Sequence, residues 1–200
     1  MRPLTELIDT SDPALPLIRE WVAGAKNLCV LHAGEQSRCE TVLNKLQVTT
    51  KSTLGAVAFE TGGISIDHGW LRFLGGGSVA MPFDLGYEWG GDFIVAYDAV
   101  GGFFALRGTS SFYLAPETLE WRDLERGYTD LLHFTLYGDL AAFYGHVRWP
   151  GWEQEVEALP GDRAFSFYPP LYSQEGKDPA KCSRRAVPVT ELWSLHSSGF

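Results

Sequence analysis

Apolar and polar positions change rhythm several times along this chain, and each change marks an element. Leu17, Ile18, Trp21, Val22 and Ala25 fall on one helical face behind Asp12-Pro13, where Asp reads as a cap and Pro as a first-turn residue, and Pro16 allows a slightly later start. Ahead of that helix, residues 4–8 read as an extended lead. A short apolar run at 28–31 predicts a strand. Cys39, Val42, Leu43 and Leu46 then predict an amphipathic helix over 35–46. A third helix is predicted over 53–61 and stopped by Gly62-Gly63.

The rhythm then shortens to two. Residues 64–66 and 70–74 alternate around the turn Asp67-His68-Gly69, a hairpin signal. The most apolar stretch, GGDFIVAYDAVGGFFAL at 90–106, predicts a second hairpin, with strands at 93–97 and 103–106 and Asp98 and Gly101-Gly102 in the connection. A further strand is predicted at 111–115, ended by Pro116, and residues 117–124 read as strand or turn around Trp121. Helical spacing returns at 129–137, with Thr129 or Asp130 as cap, and at 140–147 behind Asp139. The segment RWPGW bends the chain before a helical stretch at 153–159. Residues 161–180 read as loop-rich, 185–189 as extended, 190–195 as helix, and the last four residues as a frayed tail.

Hairpins in sequence, without strand–helix–strand alternation, give an α+β class: a central antiparallel sheet flanked by helices. Its 200 residues suit a single domain. The core is expected over about 12–147, with 148–200 wrapping it as a loop-rich elaboration.

Composition narrows the function classes. The chain carries sixteen basic and twenty-five acidic residues, a net charge of -9. A protein that neutralises phosphates needs clustered Lys and Arg, and Arg184-Arg185 is the only such pair noted. Nucleic acid and anionic membranes are therefore not expected partners. Acidity favours solubility and steers towards basic partners. The three cysteines, Cys29, Cys39 and Cys182, form no CxxC pair and fit a reducing cytoplasm, and no secretory signal or apolar span is read.

Motifs for nucleophilic, metal-dependent or phosphate-binding chemistry are missing. The glycines at 75–77 lack the Lys-Ser/Thr of a phosphate loop and read as a flexible strand exit. The five histidines are widely separated. His68 beside Asp67 is the best isolated candidate for an oriented base, and Asp98 reads as turn chemistry. Glu153, Glu155 and Glu157 read as a wet helix face. Arg72, between Trp70 and Phe73, is expected to face solvent or pair with an acid. Arg148, Trp149 and Trp152 are of types enriched at binding hot spots, and Tyr168 opens a stiff Tyr-Pro-Pro segment. These eight residues (Trp70, Arg72, His68, Asp98, Arg148, Trp149, Trp152 and Tyr168) are the binding candidates. No catalytic residue, metal ligand or cofactor is assigned.

The stretches LGAVAFETGGISIDHGWLRFLGGG (54–77), VGGFFAL (100–106), LAPETLEWRDL (114–124), GDLAAFYGHVRWPGWEQEV (138–156) and FYPPL (167–171) resemble the bacterial domain-of-unknown-function family numbered 2625. That family brings no activity or catalytic residues. A helix ending in Gly-Gly, followed by strands and an acidic turn before Gly-Gly-Phe, is also similar to the SUKH (Smi/Knr-like) superfamily. Many members of that superfamily are immunity proteins that bind toxins, and others are scaffolds. The likeness implies a protein partner, a toxin or another, and leads to the reading of a non-enzymatic protein-binding module. Two alternatives stand beside it. One is a small-molecule or glycan enzyme with a site near the 64–74 and 93–106 hairpins; the other is a structural oligomer. The sequence sets no oligomeric state.

Overall fold

Seven strands run in an unbroken antiparallel meander, each paired with its neighbour in sequence. The structure is a computed structural model, and it describes residues 1–198. The strands are β1 (Cys29–His32), β2 (Gly63–Ile66), β3 (Leu71–Leu74), β4 (Ile94–Asp98), β5 (Phe103–Arg107), β6 (Ser110–Ala115) and β7 (Glu120–Asp123). Two helices, α3 (Gln36–Leu46) and α4 (Thr53–Glu60), lie between β1 and β2, which still pair directly, Val30 opposite Ser65. The expected α+β class and antiparallel hairpin sheet are present.

The alternating strands give the sheet two faces of different character. One carries Phe73, Phe104 and Tyr113, which meet the rings of Tyr128 and Phe143 on α5 (Tyr128–Tyr137) and α6 (Leu140–Tyr144). Helix α4 packs in turn against α2 (Leu15–Gly24), α3 and α5. The other face carries Arg72, Tyr97 and Phe103. It is covered by Trp89 from the 81–89 loop, by residues 159–163, and by Trp193 of α8 (Val189–Ser197). The high aromatic content is thus largely core.

The two main turns follow from their residues. Asp67 and His68 both adopt positive φ (56° and 60°), followed by Gly69 at 84°, as a tight hairpin reversal requires. At the β4–β5 turn the buried Asp98 carboxylate accepts the Val100 and Gly102 amides at 3.0 and 2.7 Å and the Tyr113 hydroxyl at 2.7 Å. A Cβ on Gly102 would collide with that carboxylate and the Tyr113 ring, so only glycine fits there.

Several expectations need correction. Residues 4–8 are not extended, because Leu4–Leu7 forms a one-turn helix, α1, that buries Leu7. Asp12 does not cap α2. Ala14 holds that position, and Asp12 pairs with Lys51 at 3.0 Å. Helix α2 buries Leu15 and Ile18 while leaving Leu17 exposed. Gly127 precedes α5 in place of Thr129 or Asp130. Asp139 does cap α6, accepting the Ala142 amide at 2.8 Å. The glycines at 75–77 are a packed strand exit, buried against the Thr61 backbone, Cys39 and the Arg38 side chain.

The largest miss lies in the 161–180 segment. Arg163–Tyr168 is a strand, β8, paired along its length with β9 (Ser183–Pro188). Phe165 and Phe167 flank Ser166 in strand fashion, but Ala164 is buried as well and the partner strand lies across a long loop. Of the expected frayed tail, Ser197 lies in α8 and residues 199–200 lie outside the described residues.

Candidate functional site

The meander ends at β1, and there the second face of the sheet is left open. A cleft of about 390 Å³ lies between β1–β3 and the segment running from α7 (Trp152–Glu157) to Gly161. Val30, His32, Ser65 and Arg72 come from the strands, His68 from the β2–β3 turn, and Glu157 from α7. At the rim, Leu28 and Val30 are 57% and 50% exposed.

Arg72 is only 3% exposed, and its guanidinium donates to the Arg163 carbonyl at 2.7 Å and the Leu159 carbonyl at 3.2 Å. It neither faces solvent nor pairs with an acid, contrary to the sequence expectation. Its partners are neutral, and the Tyr97 ring lies 5.9 Å away. Among the described residues no carboxylate forms an ion pair with it; Asp162 and Asp98 act on it only through space. Burial lowers its pKa below the ordinary arginine value, yet a guanidinium stays protonated. The cleft therefore has at its floor a cation that no carboxylate among the described residues pairs directly.

Beside it, His32 Nε2 lies 2.8 Å from Ser65 Oγ across the β1–β2 pair. Desolvation, and then the charge of Arg72, hold the His32 pKa below the usual histidine range, which favours the neutral ring. At the other end, His68 Nδ1 meets Glu157 Oε1 at 2.5 Å, with the Trp152 ring edge-on at 5.7 Å.

Four of the remaining candidates, Trp70, Arg148, Trp149 and Trp152, form a neighbouring stack. The buried Trp70 ring meets Trp152 at 5.1 Å, Tyr144 at 5.5 Å and Trp149 at 5.7 Å. The Arg148 guanidinium lies 4.0 Å from the Trp152 ring centre and 4.8 Å from that of Trp70, and it binds the Asp67 carboxylate. Trp149 donates to Glu155 at 3.0 Å, and Arg184 lies 4.5 Å over its ring while donating to the same carboxylate. The Arg184 contact holds Glu155 below the usual carboxylate range; the acidic run on α7 is partnered at 155 and 157, while Glu157 stays exposed, as expected of a wet face. Asp98 is fully buried at the C-terminal end of β4, opposite Leu71, and Tyr168 stands 76% exposed at the end of β8.

The structure thus brings Arg72 and His68 into one cleft and leaves Trp70, Asp98, Arg148, Trp149, Trp152 and Tyr168 outside its lining. His32, Ser65 and Glu157 were not among the sequence candidates. Period-two alternation places His32 and Ser65 on one face once β1 is paired with β2, but that pairing spans two helices. Among the described residues no group of His, Cys, Asp and Glu is placed to hold a metal ion. No helix among them is long and apolar enough to cross a membrane.

Comparison with known proteins agrees with the extent of this fold. The family model described as "Protein of unknown function DUF2625" matches residues 4–192. The chain is 38% identical to the uncharacterized protein YbfG of Escherichia coli (strain K12), over 98% of this chain and 95% of that protein. It is 35% identical to an uncharacterized protein of Haemophilus influenzae, over 86% of this chain and 83% of the relative. No solved structure matches it. With a match that runs from α1 into α8 and takes in every strand, the chain belongs to the DUF2625 family.

Proposed function

We propose that this protein is a binding module that receives a segment of a protein partner in the cleft beside β1. The observation that carries this reading is the pair of exposed aliphatic side chains, Leu28 and Val30, on the rim of an open cleft at the end strand of the sheet. Apolar groups beside a few fixed polar ones are the usual make-up of a recognition site. The net charge of -9 adds long-range attraction for a partner with basic residues around the docked segment.

Val30→Lys tests it. Val30 is half exposed, so the fold tolerates the change. A partner that wild-type protein recovers from a bacterial lysate at near-equal stoichiometry is expected to be lost with the variant. Equal recovery by both proteins, or none by either, would sink the reading.

A second reading rests on the 2.8 Å contact between His32 Nε2 and Ser65 Oγ, the separation of a base and the hydroxyl it activates. Covalent labelling of wild type, but not of Ser65→Ala, by a serine-reactive phosphonate would favour hydrolysis over binding.

A further inference from the structure

We infer that the floor of the cleft is a carboxylate subsite, and that it takes the C-terminal carboxylate of the partner segment. This deepens the binding reading above and rests on it.

A guanidinium presents five N–H donors; the Arg163 and Leu159 carbonyls engage two of them, the Tyr97 side chain is a further hydrogen-bond partner, and donors remain for a ligand. Those carbonyls satisfy donors but do not cancel charge. Buried cations are ordinarily paired, and Arg72 lacks an ion-pair partner among the described residues. An arriving anion would supply the missing charge in a partly desolvated place, where a charge-assisted hydrogen bond is strongest. Ser65 adds a hydroxyl donor, and His32 adds a ring whose tautomer its Ser65 contact can set. Three polar side chains from three adjacent strands thus face one small volume.

The chain's own charge selects the form of the anion. At -9 it repels a polyacidic segment, while a single terminal carboxylate on a neutral or basic segment meets the Arg72 field with little opposition. A chain end can also enter the cleft end-on and leave the preceding side chains for the Leu28 and Val30 rim.

The test uses two pools of random hexapeptides, fixed through their N-termini, one with free C-terminal carboxylates and one C-terminally amidated. Full-length protein is passed over both, with inorganic phosphate as a separate ligand in thermal-shift measurements. The free-acid pool is expected to retain roughly tenfold more protein or better, the loss expected for a charged hydrogen bond. Ser65→Ala and His32→Gln, both at half-buried positions, are expected to reduce that retention towards the amidated level. Equal retention by the two pools overturns the carboxylate subsite and leaves the binding reading standing. Retention by neither pool removes both. Stabilisation by phosphate with neither pool retained reassigns the cleft to a free small anion and overturns the proposal. A free-acid preference that survives both substitutions overturns the assignment to this floor.

Discussion

The Tyr113 hydroxyl donates to the Asp98 carboxylate at 2.7 Å, with both side chains inside the core. The same carboxylate holds the β4–β5 turn through two amides. Burial, opposed by those hydrogen bonds, pushes the Asp98 pKa up to about 6. The unfolded carboxyl gives up its proton near pH 4, so the folded state holds the proton more tightly. The contribution from this group is therefore fully present below about pH 4 and is lost as pH rises towards 6, by about 3 kcal/mol. Asp98→Asn keeps an acceptor for both amides and cannot ionise. Urea midpoints between pH 4 and 7 should show wild type losing stability relative to this variant as pH rises. A constant difference across the range would contradict the assignment. Taking the difference removes opposing slopes from carboxyls held low, such as Glu155.

Gly102→Ala should destabilise through the same turn. The added methyl meets the Asp98 carboxylate and the Tyr113 ring, which are themselves locked in the core. Overpacking of this kind costs about 1–3 kcal/mol. Thermal melts should show a clear fall in Tm, whereas Gly108→Ala, where a Cβ meets nothing within 4 Å, should cost only the strain of its positive φ.

Arg148 and Asp67 should prove energetically coupled. Their ion pair is mostly shielded from solvent and stacked against Trp152 and Trp70. A cycle of Arg148→Met, Asp67→Asn and the double variant, read by urea unfolding, should give a coupling of about 1 kcal/mol or more. Arg148→Lys should not restore the wild type, because an ammonium lacks the planar face that covers the rings. Additive single effects would show the pair to be incidental.

Arg72→Met should loosen the strap at 159–163. Without the guanidinium, the Leu159 and Arg163 carbonyls lose their side-chain donors beneath the sheet, at a cost of about 1–3 kcal/mol each. Limited proteolysis is expected to cut this segment in the variant well before wild type. Unchanged protection would mean that Tyr97, whose hydroxyl reaches the Gly161 carbonyl, holds the strap without Arg72.

What was legible in the sequence was local. Helix α3 is marked by spacing, α4 by the glycine pair that stops it, and the two main hairpins by turn residues whose conformations the structure bears out. What was hidden depended on distant partners. The Arg163–Tyr168 strand alternates only around Ser166, and it reads as loop until Ser183–Pro188 is placed beside it. Helix α1 is a single turn, too short for a periodic signal. The cleft was hidden for the same reason: His32 and Ser65 lie thirty-three positions apart, and Arg72 reads as solvent-facing or acid-paired because its actual partners are backbone carbonyls near ninety residues away. Side-chain identity along the chain cannot announce a main-chain acceptor.

The order of the meander bears on how the molecule is made. Since every strand adjoins the one synthesised just before it, the sheet can assemble in step with translation and is complete by Asp123. The carbonyls that close over Arg72 belong to Leu159 and Arg163 and leave the ribosome later. Burial of the guanidinium with both of its carbonyl acceptors therefore requires chain that is made after the sheet, which places it among the closing steps of maturation.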